Sequence, residues 1–254
     1  MKGTMAILKP ALLAAFAAMA ATTHAQSANP GVGSNPKAQG ATDDVTPSTG
    51  PNGSEDWLNT GITDDGWTPP FLALSDVLHI TLDQFYSGIG SPCAQYDTYF
   101  QNAATKYTID PVILAVIAMQ ESSCNANAGG PTPGLMQVSC ENYPNGQCTD
   151  SIQDNVDAGT NYLKSQLDAA GGNAIRAFGA YNGWFTAGNG LNGGKGLTEG
   201  YPCSEEGRAN GVPQNLDYLH QVLNGWLMGL DVYGDDNWIG TYKCDQNCGD
   251  GSKC

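Results

Sequence analysis

A glutamate at the end of an apolar run is the feature of this chain most capable of chemistry. Val112-Ile113-Leu114-Ala115-Val116-Ile117-Ala118-Met119 is apolar without a break, and Gln120-Glu121-Ser122-Ser123 closes it. Asp110-Pro111 opens the run with a capping residue followed by proline, the order found at helix N-termini. The segment therefore predicts a buried helix whose C-terminal end carries a carboxylate. Apolar surroundings and the negative end of the helix dipole both disfavour the ionised form. Both raise the pKa, and a carboxyl that keeps its proton near neutral pH can serve as a general acid. The plain alternative, from helix position alone, is a helix-end glutamate that reaches water.

The elements that must position this carboxyl are mostly helical. Ser91-Pro92 predicts a helix start, with Tyr96, Phe100, Ala103 and Tyr107 on one side. Residues 127–134 are dense in Gly and Pro and predict a loop. A further helix carries Ile152, Val156, Gly159, Leu163 and Leu167 and stops at Gly171-Gly172. Asn173 is placed to cap another, with Ile175, Phe178 and Tyr181, ending at Asn182-Gly183. A late helix over 215–230 presents Tyr218, Leu219, Val222, Leu223, Trp226 and Leu227. Period-2 alternation is weak, so the fold class is mainly α. The expected organisation is a leader over 1–25, a disordered linker over 26–66 and one domain over 67–254. A domain of that length can bury a real core. The linker is rich in Ser, Asn, Pro, Gly, Thr and Asp, and it holds a glycosylation sequon, Asn52-Gly53-Ser54.

The first 25 residues resemble a secretory signal. Lys2 and Lys9 charge the start, Ala11 to Ala21 is apolar and mostly small, and Thr23-His24-Ala25 suits cleavage. The expected location is therefore extracellular, with a mature chain starting near Gln26. All eight cysteines follow the signal: Cys93, Cys124, Cys140, Cys148, Cys203, Cys244, Cys248 and Cys254. An even count in an exported chain predicts disulfides, with Cys140 and Cys148 flanking a turn-rich segment as the best local pair. Cys244, Cys248 and Cys254 are the metal alternative, disfavoured by an oxidising compartment and by the lack of a CxxC motif. Asp245 to Asp250 begins like a calcium loop but lacks its glycine. His79 and His220 form no HExxH motif. No metal and no cofactor is expected.

Two of the ten basic residues lie in the signal, leaving eight against 25 acidic ones. That balance excludes nucleic acid as a favoured ligand and disfavours adhesion to anionic membranes. A neutral polymer, or an acidic working pH, fits better.

Four pieces follow one another with chemistry-bearing spacing. They are Glu121-Ser122, then Gly134-Leu135-Met136-Gln137, then Asn155-Val156-Asp157-Ala158-Gly159 with Tyr162-Leu163, then Ala180-Tyr181-Asn182-Gly183. Together, over about residues 92–184, they resemble the soluble lytic transglycosylases and goose-type lysozymes of glycoside hydrolase family 23. The resemblance implies a lysozyme-like fold and cleavage of β-1,4 links in an N-acetylated glycan. It implies Glu121 as the catalytic acid, Ser122 lining the site, and Met136 and Gln137 lining the sugar groove. Tyr181 matches the family's tyrosine that approaches the glutamate, and Asn182 its neighbour. Met136 also suits a core position, Gln137 a backbone-bonding role and Tyr181 a helix-end core position. Trp184 and Phe185 suit either stacking or packing.

Goose-type lysozymes carry an aspartate directly after their GLMQV, where this chain has Ser139. No acid lies between Glu121 and Gln137, and Glu141 is the nearest beyond it. Most glycosidases use two carboxylates. A single one fits the lytic transglycosylase route, in which the substrate supplies the nucleophiles. The expectation is a secreted, monomeric, disulfide-stapled enzyme cutting peptidoglycan to 1,6-anhydro products. The rivals are a hydrolytic muramidase or chitin-active enzyme of the same fold, a non-catalytic glycan-binding protein, and an interaction protein using its acidic surface.

Overall fold

The computed structural model describes residues 33–184, 191–210, 215–234 and 239. Its centre is the apolar run. Asp110 caps α4 (Pro111–Ser122), its side chain accepting from Val112 N, and every residue from Pro111 to Met119 is buried. A helix apolar on all sides has no solvent face to choose, so it takes the middle of the core.

The remaining helices form around it. A 3₁₀ turn, Ser91–Tyr96, leads into α3 (Asp97–Tyr107), whose Phe100 and Ala103 are buried. α5 (Ile152–Ala169) is capped by Ser151 and ends before Gly171-Gly172. α6 (Ala174–Tyr181) is capped by Asn173. α2 (Leu82–Ser87) precedes the 3₁₀ turn, and α7 (Glu205–Ala209) precedes α8 (Asn215–His220). α3 packs on α4 and α5, α5 packs on α6, and α6 packs on α8. Among the described residues, strand is confined to a two-stranded ribbon, β1 (Ile62–Thr63) with β2 (Gly66–Trp67), antiparallel, pairing Ile62 with Trp67. The expected mainly helical class therefore holds.

The late helix departs from a regular α-helix over 215–230. α8 ends at His220, a π-helical turn spans Gln221–Gly225, and a 3₁₀ turn spans Trp226–Met228. A Cβ on Gly225 would lie 2.2 Å from Val232, so the chain closes on the turn where only glycine fits.

Cys140–Cys148 is disulfide-bonded as expected, and Cys93–Cys124 forms a second bond. Cys203 is disulfide-bonded too. The expectations for Cys244, Cys248, Cys254, Phe185 and residues 245–250 lie outside the described residues, as do those for the leader 1–25.

Residues 33–66 correct the expectation of a disordered linker. They contain α1 (Glu55–Leu58), capped by Ser54, then the β-ribbon. Before α1 the segment is held by side-chain amides rather than apolar bulk. Asn52 is fully buried; its Nδ2 donates to Leu78 O and Leu223 O, and its Oδ1 accepts from Leu78 N and Asn35 Nδ2. Asn224, in the π-helical turn, answers from the other side. Its Oδ1 accepts from Asn52 N and its Nδ2 donates to Gly53 O. Asn59 Nδ2 donates to Leu216 O, and His220 Nε2 donates to Thr46 O. Low apolar content reads as disorder only where polar side chains lack internal partners. Here they have them, and the Asn52 sequon is sealed inside the fold.

Asn52→Ala should therefore cost about 2 kcal/mol or more, because it strands several buried donors and acceptors at once. Chemical denaturation measures this, and a loss near zero would mean the segment is not integral to the fold.

Candidate active site

Glu121 sits on the last turn of α4, and the chain turns sharply just after it. Ser123 and Cys124 both adopt left-handed backbone conformations, φ 53° and 56°. Ser123 N bonds Met119 O at 2.9 Å and Cys124 N bonds Ala118 O at 3.1 Å, a helix-ending pair normally built with glycine. Cβ-bearing residues are uncommon in that region. The Cys93–Cys124 bond ties this reversal to the 3₁₀ turn before α3, so the end of α4 is covalently anchored next to Glu121.

The Glu121 carboxyl accepts a hydrogen bond from the Tyr218 hydroxyl at 2.7 Å. Burial lifts its pKa from 4.5 to about 7, and the Tyr218 bond pulls the other way. Burial is the larger effect, so the carboxyl keeps a proton in mildly acidic solution. Burial and the Glu121 charge together hold both Tyr218 and Tyr181 well above the usual phenol value. Both remain O–H donors at any working pH.

Tyr218 lies on α8, where its spacing with Leu219 and Val222 read only as an apolar face. Its hydroxyl is a functional group that sequence reasoning missed. Helix periodicity places a ring in the core but says nothing of where its hydroxyl ends. The tyrosine expected beside the glutamate, Tyr181, feels the Glu121 charge but donates its proton to Met136 O at 2.8 Å.

That bond belongs to a frame around the Gly134–Gln137 loop. Asn155 on α5 accepts from Met136 N through Oδ1 and donates through Nδ2 to Pro133 O. The Ser122 hydroxyl lies 2.8 Å from Leu135 O and 3.0 Å from Ala118 O, and accepts from Asn125 N. It joins the loop to the helix that carries Glu121. At Gly159 a Cβ would meet Met136 Cβ at 2.7 Å and the Tyr181 hydroxyl at 2.8 Å, so α5 must present glycine there.

The loop residues divide in role. The Met136 side chain is wholly buried in the core. The groove-lining side chain expected there is corrected to a core one. Gln137, at φ 45°, donates its side-chain amide to Gly134 O and braces its own turn. Asn182 Oδ1 accepts from Trp184 Nε1. Trp184 is buried with its ring 4.3 Å from that of Trp67, so it packs rather than stacks on ligand.

Around this frame the acids are distributed unevenly. Glu141 is exposed on the disulfide-closed loop, and its charge acts on Tyr162. Asp154 accepts from Thr149 and caps nothing near Glu121. A cleft of about 410 Å³ opens beside the loop, walled by Asn127, Gly134, Tyr143, Asp150 and Asn155. A larger hollow of about 780 Å³, walled by Asp64, Tyr201, Glu205 and Glu206, shares no residue with the Glu121 constellation. Size does not locate the chemistry here; the buried, hydrogen-bonded carboxyl does. Among the described residues no cluster of three His, Cys, Asp or Glu is placed to hold a metal ion.

Residues 98–189 match the family model described as the transglycosylase SLT domain. The match includes Glu121, the Gly134–Gln137 loop and Tyr181, so the resemblance read from the motifs holds. The match makes these residues similar to a transglycosylase SLT domain. Tyr218 and residues 33–97 lie outside it.

Stability should follow the trapped proton. The folded Glu121 value is raised above 4.5, so its contribution is complete below about pH 4.5 and is lost as pH rises to about 7. His220, lowered by burial from 6.5 to about 4, has the opposite sign: its contribution is present above 6.5 and is lost as pH falls. Glu121→Gln removes only the first of these. Between pH 5 and 7 calorimetry should show the variant gaining melting temperature relative to wild type as pH rises. A difference that does not change with pH would mean the carboxyl titrates normally.

Proposed function

With an SLT transglycosylase domain built on a single buried carboxyl, we propose that this protein is a secreted lytic transglycosylase. It cleaves β-1,4 links of peptidoglycan and leaves 1,6-anhydro ends. The observation that carries this reading is the setting of Glu121. Its carboxyl is governed by burial and by the Tyr218 hydroxyl, and no carboxylate charge is among the causes of its shift.

The chemistry follows from one group used twice. Protonated Glu121 gives its proton to the glycosidic oxygen as the C1–O bond breaks, and the leaving chain departs as an alcohol. The substrate's acetamido oxygen stabilises the positive charge at C1. Glu121, now a carboxylate, accepts the proton of the sugar's 6-hydroxyl as that oxygen attacks C1. The anhydro ring closes and Glu121 is protonated again, so no water is consumed. The Tyr218 hydroxyl stabilises the carboxylate between the two steps. An intramolecular hydroxyl has an effective-concentration advantage over water, and water has no evident base beside Glu121. The lone carboxylate favours this route over hydrolysis, which commonly uses two. Ser122, Gln137, Tyr181 and Asn182 shape the wall of the site through the hydrogen bonds described above.

The acidic balance of the chain and its cysteine pairing both accord with an exported enzyme meeting its polymer outside the cell. Such an enzyme is expected to act as a monomer, without cofactor, nucleic acid or membrane.

Glu121→Gln should lower turnover on the order of 10²–10⁴-fold with little change in folding, since the amide fits but cannot supply a proton. Mass spectrometry of digested peptidoglycan should find mainly anhydro-muropeptides, one water lighter than hydrolytic products. Dominance of reducible ends would make the enzyme a muramidase, and near-normal activity of the Gln variant would move the acid elsewhere.

A further inference from the structure

Single exposed apolar side chains are ordinary on a protein surface. Among the described residues two large ones are exposed, Phe71 at 60 % and Tyr233 at 48 %. Phe71 precedes Leu72, whose N donates to Asn173 at the start of α6. Tyr233 is placed differently. It is hydrogen-bonded to the residue that precedes Glu121, and it is held fast although it faces water. It lies outside 98–189.

The hold begins in the backbone. Val232 is fully buried and is seated against the π-helical turn, where Gly225 leaves room for it. Ile239 N donates to Val232 O at 3.3 Å, and Tyr233 N donates to Asp231 Oδ1 at 3.0 Å. The side chain is fixed as well. Its phenol oxygen accepts from Gln120 Nε2 at 3.2 Å. Its ring meets the buried Trp226 in an edge-to-face arrangement, with centroids 5.8 Å apart and planes at 67°. Trp226 Nε1 donates to Gln120 Oε1 at 2.6 Å, and Gln120 Nε2 also donates to Gln221 Oε1 at 3.3 Å. Both amide protons of Gln120 are thereby used, so this side chain is a bracket between the end of α4 and the chain that follows α8.

The bracket sets the ring beside the reacting group. Gln120 and Glu121 are consecutive, so their Cα atoms lie about 3.8 Å apart. They dock on one stretch of chain, Gln120 on Gln221 and Trp226, Glu121 on Tyr218. Both are only half-buried, and Tyr233 continues the open edge that they begin. The part of the ring that Trp226 and Gln120 leave uncovered can receive a ligand. A pyranose ring has faces of C–H groups that are apolar and slightly positive, and the face of an aromatic ring is slightly negative. Such a contact needs no ionic partner, which suits a strongly acidic chain. A ring already immobilised gives up little conformational freedom on binding. We propose that Tyr233 is a stacking platform for a sugar ring of the glycan, forming a subsite beside the bond that Glu121 cleaves. This rests on the reading of Glu121 as the acid/base given above.

The platform is tested by binding in a protein that does not cut. Glu121→Gln should be combined in turn with Tyr233→Ala, Tyr233→Leu and Tyr233→Phe, and each titrated calorimetrically with peptide-free glycan strands of peptidoglycan. Ala and Leu should each raise Kd on the order of tenfold, because neither offers an aromatic face. Phe keeps the face and loses only the bond to Gln120, so Kd should rise by no more than about threefold. With Glu121 intact, Tyr233→Ala should act on KM rather than kcat, the mark of binding lost equally from ground and transition states. Melting temperatures should stay close to that of the parent, since the side chain is exposed. Equal affinity of the Ala variant and its parent, or no measurable binding by either, overturns the proposal. So does a Leu variant that binds as the parent does, since bulk alone would then suffice. A lower melting temperature with unchanged Kd overturns it as well, and so does an effect seen only on strands that keep their peptides. Turnover by Glu121→Gln would instead overturn the reading of the site itself, whatever Tyr233 does.

Discussion

A carboxyl group partly withheld from water is the constraint on which this structure turns. Glu121 keeps its proton because the end of α4 leaves it half-buried beside the core, where an isolated carboxylate is costly. The fold answers with one donor, the Tyr218 hydroxyl, placed from a helix 97 residues further along the chain. That single bond tempers the penalty of burial without cancelling it. The result is a value of about 7, which lets one group donate a proton and take it back.

Holding that geometry occupies much of the surrounding architecture. The end of α4 is pinned by consecutive left-handed residues and a disulfide at Cys124. The Gly134–Gln137 loop is tied to three helices at once, by Ser122 from α4, by Asn155 from α5 and by Tyr181 from α6. Each tie ends on a backbone atom of the loop, so the loop's shape is set by neighbours rather than by its own residues. Preorganisation of this kind is what electrostatic catalysis requires, because groups that must reorganise during the reaction give back what they contribute.

The N-terminal segment extends the same logic beyond the matched domain. Asn52 and Asn224 bond across the segment and the π-helical turn, and Asn35 and Asn59 add further amide contacts. An amide can satisfy a buried donor and a buried acceptor together, which an apolar residue cannot. This segment covers the side of α8 away from the Glu121 carboxyl, and α8 in turn supplies Tyr218.

Local pattern sufficed for α3, α4, α5 and α6, for the caps at Asp110 and Asn173, and for the Cys140–Cys148 bond. Each depends on residues near one another in sequence: an apolar period, a capping side chain, a short turn between cysteines. The same locality made Glu121 legible, since an unbroken apolar run ending in a carboxylate already implies burial. What lay beyond it was decided in three dimensions. That Tyr218 rather than Tyr181 donates to Glu121 depends on where α8 crosses α4. That Met136 turns inward depends on the glycine of α5 against which it packs. That residues 33–66 fold depends on asparagines finding partners more than a hundred residues away, including Asn52 at Leu223 and Asn59 at Leu216. Composition counts such residues as polar, and only the assembled structure shows that their hydrogen bonds are made inside.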